Sequence, residues 1–242
     1  MRSIMMVTYN RLELTKQTVK NIFDTVSGDF NFIIVDNGSK DGTVEYLNEL
    51  SNKHNNIYIH LFSENKGIGK GRNKALKIAV DLGTEWFVTL DNDVLLPNGW
   101  LDECIHILEN VKTYGAIGVN FEGVEYNNVN INGISFQSKP RGNLGTACMV
   151  FGKSLQKMLG FFNDYNNLYG EEDADFGHRI RVLGLKLGYI NNKGNHIGVG
   201  EVDSGEYREF KDNCRKKNLN KFYENCRLYS LKKKPLYIKY TD

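Results

Sequence analysis

Four short apolar runs separated by helical stretches fill the first 93 residues, and this alternation restricts the fold more than any other feature of the sequence. The runs are "SIMMVTYN", "FNFIIVDNGS", "IYIHLF" and "EWFVTL". Between the first two, Leu12, Val19 and Ile22 fall on one face of a helix. Strands that alternate with helices pair in parallel through right-handed crossovers. We therefore predict an α/β fold with a mostly parallel central sheet.

Polar residues follow the ends of these predicted strands. Asn10, Asp36 and Asp91 each stand where an apolar run stops. Open α/β sheets bind ligands in the crevice outside the carboxyl ends of their strands. A ligand site is therefore expected at this edge of the sheet.

After Pro97 the pattern changes to strands joined by turns, as in "AIGVNF" and "VEYNNVNINGISF". "GNLGTACMVFGKSLQKML" predicts a strand and a helix, "EEDADFGHRIRVLG" a helix that ends at Gly184, and "KLGYINN" a last strand. Trp100, at the start of a helix, is expected in the core. The predicted division is a nucleotide-binding half (1–93), a smaller mixed α+β acceptor half (94–205), and a basic helical segment (206–242).

Composition narrows the classes of protein that this chain can belong to. A hydrophobic fraction of 40% over 242 residues is that of a folded globular protein. Four cysteines without a C-x-x-C spacing indicate reduced thiols rather than a zinc site or a disulfide framework. No run reaches the roughly 20 apolar residues that span a bilayer. We therefore expect a cytoplasmic protein.

Positive charge is concentrated at the end of the chain. From Glu206 onward the sequence has eleven Lys or Arg against five Asp or Glu, although the net charge of the whole chain is only +2. This segment is either a solvated helix face or a surface for anionic lipid headgroups on the cytoplasmic face of a membrane. Nucleic acid is not expected as a partner, because the rest of the chain lacks a basic stripe.

Asp91 and Asp93 pose the main chemical question, since two like charges end what should be a central strand. Either residue alone is typical of a turn. As a pair they suit a hard divalent cation, Mn²⁺ or Mg²⁺, which carboxylates hold together with substrate phosphates. Two interpretations of Asp91 and Asp93 therefore remain open, a turn and a metal site.

Two classes of enzyme fit this pair poorly. A dinucleotide-binding dehydrogenase needs G-x-G-x-x-G after its first strand, whereas this chain has "VTYNRLEL" there. A phosphatase of the haloacid dehalogenase type would use Asp91 as its nucleophile, and "VTLDNDV" fits that family locally. That family, however, has its acidic pair on an early strand, and here three βα units come first. A non-catalytic module that binds a nucleotide or a carbohydrate is a further alternative.

Five motifs in order resemble an inverting family 2 glycosyltransferase with the GT-A fold: "VTYNR", "IIVDNGSKDGT", "NKGIGKGRNKAL", "TLDNDV" and "GEEDADFGHRIRVLG". The resemblance extends from the first strand to about His196. It implies a Rossmann-like nucleotide-binding half and the transfer of a sugar from a nucleotide-diphosphate sugar, most commonly a UDP-sugar. The acceptor would be a glycan or a lipid-linked hydroxyl, in polysaccharide or glycoconjugate biosynthesis.

The resemblance also implies roles for particular residues. Asp91 and Asp93 would bind the metal, with His196 as a further ligand, although a loop histidine is often simply solvated. Asp173, or Glu172 in its place, would be the general base among the four acids of "GEEDADF", some of which a helix start would favour in any case. The residues expected around the nucleotide are Thr8, Tyr9, Asn10, Asp36, Asn37, Arg72, Asn73, Asp91 and Asn92.

Overall fold

A computed structural model describes residues 1–121, 123–165, 168–198 and 206–241. Its strands are β1 (Arg2–Thr8), β2 (Asn31–Asp36), β3 (Ile57–Leu61), β4 (Trp86–Asp91), β5 (Val94–Leu95), β6 (Tyr114–Asn120), β7 (Asn128–Ile131), β8 (Ile134–Lys139), β9 (Cys148–Gly152), β10 (Lys186–Lys193) and β11 (Asn195–His196). Its helices are α1 (Leu12–Thr25), α2 (Thr43–Lys53), α3 (Ile68–Asp81), α4 (Trp100–Asn110), α5 (Lys153–Leu159), α6 (Glu172–Val182) and α7 (Glu206–Ser230).

Nine of the strands form one sheet in the order β3-β2-β1-β4-β9-β6-β10-β8-β7. The first four strands of this order are parallel to one another, as predicted from the alternating pattern. β9 runs antiparallel between β4 and β6, and β10 is again parallel to β6. The short pair β5 and β11 forms a separate antiparallel sheet. The sheet therefore continues from the first half of the chain into the second.

Two hydrophobic cores lie on opposite faces of this sheet. Alternate residues of β1 show the division, because Ile4 and Met6 belong to one core and Met5 to the other. α1, α2 and α4 cover the first core, which includes the fully buried Trp100. α3, α5, α6 and the tail residues Leu236, Ile238 and Tyr240 cover the second. The prediction that Trp100 is a core residue is confirmed.

Turn chemistry explains two of the connections. Asn132 and Gly133, both with positive φ, join β7 to β8 in a two-residue hairpin of the kind that an Asn-Gly pair favours. Ser39 and Asp41 are of residue types that can cap the start of α2, but the residue directly before this helix is Gly42. The Asp41 carboxylate instead accepts hydrogen bonds from the Thr43 and Leu12 amides, which joins the starts of α2 and α1.

By their spacing, five apolar residues of α7 are expected close to one helical face: Phe210, Cys214, Phe222, Cys226 and Tyr229. Cys214 and Tyr229 of this set are buried, whereas Phe210 is 38% exposed. Asn218 and Asn225 are buried as well. The two amides are buried because this face of α7 meets a polar surface, which includes the backbone just before α6.

None of the helices formed by the described residues is both long and apolar enough to cross a membrane. The boundary proposed at residue 93 stays a prediction, and the one proposed at residue 205 lies outside the described residues.

Candidate active site

Three strand ends meet at one edge of the sheet. In the parallel pairing, Thr8 of β1 lies beside Asp36 of β2, and Val7 lies beside Asp91 of β4. The residues just beyond these strands therefore surround one crevice. Asn10 and Arg11 turn the chain away from β1 in left-handed conformations, with φ of 54° and 62°.

Asp91, Asp93 and His196 form a cluster that could hold a metal ion. Each offers a ligand atom, and these atoms lie within 4.8 Å of one another. The pairing of β11 with β5 sets His196 opposite Val94, so that its Nε2 is 3.5 Å from Asp93 Oδ1. Gly198 then passes so close to Asp93 that any side chain at 198 would overlap its carboxylate.

The chemistry of this cluster fits a divalent cation. Two carboxylates and an imidazole are oxygen and nitrogen ligands of the kind that first-row metals such as Mn²⁺ accept. His196 Nδ1 is buried and has no hydrogen-bond partner among the described residues. An imidazole with one buried, unsatisfied nitrogen gains from a ligand that fixes its orientation.

Two arginines balance the acidic pair in the structure. Arg72 Nη2 is 2.8 Å from Asp91 Oδ1, and Arg11 Nη1 is 2.6 Å from Asp93 Oδ2. Burial and the charge of Asp91 raise the pKa of Asp93, against the lowering effects of His196 and Arg11. The charge of the two guanidinium groups therefore offsets the repulsion between the carboxylates only in part.

Arg72 connects this cluster to the acidic segment at the start of α6. Its Nη1 donates to the buried Glu172 carboxylate while Nη2 holds Asp91. Burial raises the pKa of Glu172 to about 7. Arg72 lowers this pKa, whereas the negative charges of Asp173 and Asp91 raise it. Glu172 therefore belongs to a buried charge network.

The remaining three acids of this segment have distinct surroundings. Asp175 is fully buried and pairs with Arg179 at 2.7 Å, a contact that holds α6 together. Glu171 bonds to Arg215 of α7. Asp173 is partly exposed, accepts a bond from the Ala174 amide, and forms no ion pair within the described parts of the chain. Asp173 is thus the acid of the four whose carboxylate is most available to a substrate.

The residues expected around a nucleotide fall into two groups. Tyr9 is 45% exposed, Asn10 and Asp91 are partly exposed, and Arg72 is buried but bonds to Asp91. The others are buried and bonded within the protein. Thr8 and Asn92 bond to each other and to Thr15, Asn37 bonds to the Gly67 carbonyl, and Asp36 accepts bonds from Gly38 and Ser39. This buried group supports the turns that form the crevice.

Arg72 and Asn73 were both expected around the nucleotide, and the structure separates them. The Asn73 amide bonds to both the carbonyl and the amide of Phe162, at 2.9 and 2.8 Å. It thereby joins α3 to the loop after α5, while Arg72 alone reaches the acidic cluster. Successive residues of a helix point in different directions, which accounts for the separation.

Arg11 is the site residue that the sequence analysis missed. It lies in the motif "VTYNR", but a lone arginine after a strand is usually solvated. Its role could have been recognised from its position, because Arg11 follows β1 and Asp93 follows β4, and these two strands are neighbours in the sheet.

Comparison with known proteins identifies the family. The family model described as "Glycosyl transferase family 2" matches residues 3–169. The chain belongs to glycosyl transferase family 2. The match ends just before the acidic segment that starts at Glu171. The phosphatase alternative and the non-catalytic module find no support in these comparisons.

By their names, two curated relatives of this family 2 chain act in glycan and teichuronic acid biosynthesis. The low-salt glycan biosynthesis hexosyltransferase Agl10 of Haloferax volcanii is 24% identical over 204 residues, which cover 77% of this chain and 63% of the relative. The putative teichuronic acid biosynthesis glycosyltransferase TuaG of Bacillus subtilis is 32% identical over 77 residues, 32% of this chain and 31% of the relative. The chain thus spans less than two thirds of the length of either.

Solved structures confirm the predicted GT-A fold class. The mannosyltransferase PcManGT of Pyrobaculum calidifontis, in complex with GDP-Man and Mn²⁺, superposes with a TM-score of 0.60 at 20% identity, over 86% of this chain and 59% of that one. Residues 1–349 of S. aureus TarS, in complex with UDP, give a TM-score of 0.60 at 20% identity, over 96% of this chain and 75% of that one.

Proposed function

We propose that this chain is a metal-dependent, inverting glycosyltransferase that moves a sugar from a nucleotide-diphosphate sugar to an acceptor hydroxyl. The observation that carries the proposal is the chain of contacts from the Asp91, Asp93 and His196 cluster through Arg72 to Glu172, which directly precedes Asp173 at the start of α6. This arrangement supports a candidate metal cluster and a candidate base close to one arginine. A transferase needs both functions, one for the leaving group and one for the acceptor.

Asp91, Asp93 and His196 would hold the cation, Mn²⁺ or Mg²⁺. When bound, such an ion stabilises the charge of the departing diphosphate. Arg11 and Arg72 would exchange their carboxylate partners for phosphate oxygens, which guanidinium groups bind in a bidentate manner. Tyr9 and Asn10 would border the base and the ribose. Asp36 would contribute by shaping the turn beside them.

Asp173 would act as the general base. It accepts the proton of the acceptor hydroxyl as that oxygen forms its bond to the anomeric carbon. The bond from the anomeric carbon to the diphosphate oxygen breaks on the opposite face, so the configuration inverts. Glu172 would not be the base, because it is buried against Arg72. Its role would be to hold that arginine in place.

The donor we propose is a UDP-sugar, with a GDP-sugar as the alternative. The structural neighbours support both, since one holds GDP-Man and another holds UDP. The acceptor would be a glycan or lipid-linked glycan in polysaccharide or glycoconjugate biosynthesis, as the names of the curated relatives suggest. A peripheral contact of the basic α7 with a membrane stays a prediction.

Release of nucleotide diphosphate from a panel of UDP- and GDP-sugars tests the proposal. We expect release that requires Mn²⁺ and stops with EDTA. Asp173→Asn should lower the rate about 10²- to 10⁴-fold, the usual contribution of a general base. Asp24→Asn is the matched control, because Asp24 is an exposed residue of α1 that pairs with Lys20. Phosphate release from a generic phosphate ester, without sugar transfer, would contradict the proposal.

A further inference from the structure

α7 lies beyond the part of the chain that the family model matches, yet it bonds to the three residues that precede Glu172 and Asp173. Arg215 Nε is 3.3 Å from Glu171 Oε1. Asn218 Nδ2 donates to the carbonyls of Tyr169 and Gly170, at 3.3 and 3.1 Å. Arg215 and Asn218 are three residues apart on a helix and therefore point the same way. Two neighbouring side chains thus hold one short turn.

That turn has a conformation that needs support. Gly170 has φ of 102° and Glu171 has φ of 72°, so two successive residues are left-handed, and one of them has a side chain. Such a conformation persists only where the surroundings hold it. Glu171 is 6% exposed, and a carboxylate so buried requires a partner. A side chain at position 170 would also meet Arg215 Cγ at 2.9 Å.

The direction of this turn determines where α6 begins. Glu171 is the residue before the helix, and Glu172 and Asp173 are its first two residues. Any change in the backbone at 170 and 171 would therefore move the Asp173 carboxylate relative to the cluster of Asp91, Asp93 and His196. The Glu172 carboxylate also accepts a hydrogen bond from Arg72 of α3, which holds the start of α6 independently of α7.

We propose that Arg215 and Asn218 are positioning residues for the catalytic carboxylate of Asp173. They bond to residues 169–171, and their effect on Asp173 would pass through this turn. This inference rests on the proposed function, since Asp173 is the base only in a glycosyltransferase. It makes α7 part of the catalytic apparatus rather than an appended basic surface.

Asn218→Asp is the sharpest variant, because it keeps the shape of the side chain but replaces the donor with an oxygen that faces two carbonyls. Arg215→Ala removes the second contact, and Arg215→Lys should restore part of the loss by keeping the charge. Lys216→Ala and Lys217→Ala are matched controls, since both residues are exposed on the same helix. All variants are made in the full chain.

With a UDP- or GDP-sugar that the parent chain turns over, we expect kcat to fall about ten- to a hundredfold, because small misplacements of a reacting group cost about that much. The donor KM should stay within about twofold, and the controls should match the parent. An unchanged kcat, or a rise in donor KM that accounts for the whole loss, would overturn the inference.

Amide hydrogen exchange gives a second readout that needs no activity. In Asn218→Asp, a peptide that covers 168–176 should exchange about tenfold faster, while a peptide that covers 86–93 keeps its parent rate, because only the turn loses support. Equal exchange in the 168–176 peptide would overturn the inference. If no donor is turned over by the parent chain, the proposed function fails, and the exchange result alone decides whether α7 holds the turn.

Discussion

Arg11 and Arg72 show how single residues prepare an acidic site for a cation. Each guanidinium group lies against one of the two carboxylates, at distances of 2.6 and 2.8 Å. Each positive charge therefore offsets part of the repulsion between the two carboxylates. A metal held by Asp91 and Asp93 would compete with these contacts, because each guanidinium group occupies one oxygen of a candidate ligand.

Arg11→Ala should raise the affinity for Mn²⁺ in the absence of nucleotide. Removing a partly exposed ion pair of this kind corresponds to about a two- to fivefold decrease in Kd. Titration calorimetry with Mn²⁺ alone measures the change. Arg2→Ala is a matched control, since Arg2 pairs with Asp102 at 2.8 Å and the Arg2 and Arg11 side chains are 28% and 27% exposed. Weaker Mn²⁺ binding in Arg11→Ala would mean that Arg11 supports the cluster rather than competing for it.

Glu172 should make stability depend on pH in the metal-free protein. Its pKa is raised by burial to about 7, from an ordinary value of 4.5. A raised pKa means that the folded state favours the protonated acid. The stabilisation is therefore complete below pH 4.5 and is lost as the pH rises through about 7. The whole change amounts to roughly 3 to 4 kcal/mol, since the rise from 4.5 to about 7 is worth about 1.4 kcal/mol per pKa unit.

Glu172→Gln tests this dependence, because the amide has the shape of the acid but does not titrate. Relative to this variant, the parent chain should lose unfolding free energy between about pH 4.5 and pH 7, measured by urea denaturation in EDTA. Parallel curves for the two proteins would show that Glu172 is ionised throughout, as a strong pair with Arg72 alone would make it.

Sequence patterns predicted which residues lie at this edge of the sheet. They predicted less well which of these residues would be free to bind a ligand. Asp36, Asn73 and Asn92 all lie at this edge of the sheet, but their polar groups bond to the protein itself. A motif shows only that a residue type is needed at a position. Whether that residue serves a ligand or a turn depends on neighbours that are distant in sequence, such as Phe162 for Asn73.

At the scale of elements, the tail after α7 adds a strand-like segment to the body. Ile238 bonds to the Leu159 carbonyl and the Phe161 amide, at 2.9 Å each, and Leu236 accepts a bond from the buried Arg179. Gly160 allows this contact, because it has φ of 68° and any side chain there would overlap the Ile238 carbonyl oxygen. The sequence offered no signal for this pairing, since "LYIKY" is short and follows a proline.

Gly160→Ala and Gly28→Ala form a matched pair that isolates the tail contact. Both glycines have positive φ, but a methyl group at Gly28 meets nothing within 4 Å. Gly28→Ala should cost about 1 to 2 kcal/mol, the strain of the left-handed backbone. Gly160→Ala should cost about 1 to 3 kcal/mol more, because the tail must shift. Thermal unfolding should show this as an extra decrease in Tm of about 2 to 4 °C per kcal/mol. Equal decreases in the two variants would mean that the tail contact contributes nothing.

At the scale of the whole molecule, the order of the sheet could be predicted only in part. The parallel strands β3, β2, β1 and β4 follow from the βα rhythm, since short crossovers connect neighbouring strands. The insertion of β9 between β4 and β6 could not be predicted, because antiparallel strands of the second half have no fixed crossover rule. Yet this insertion joins the two halves of the chain into one sheet.

That continuity leads us to expect a single unfolding transition. Trp86 and Trp100 lie on β4 and α4, whereas far-UV circular dichroism reports on all helices and strands. In urea, tryptophan fluorescence and circular dichroism should give the same midpoint, because neither half has a complete sheet without the other. Two separate midpoints would show that the halves unfold independently, and would support the boundary predicted at residue 93.

The small β5–β11 pair has a consequence for how the protein is made. The carboxylates of Asp91 and Asp93 are synthesised well before His196, and the strands β6, β9 and β10 intervene. A nascent or truncated chain that stops short of β11 would carry two of the three candidate ligands and lack the imidazole. On the proposed function, such a chain would bind a divalent cation less tightly than a chain that has completed synthesis through β11.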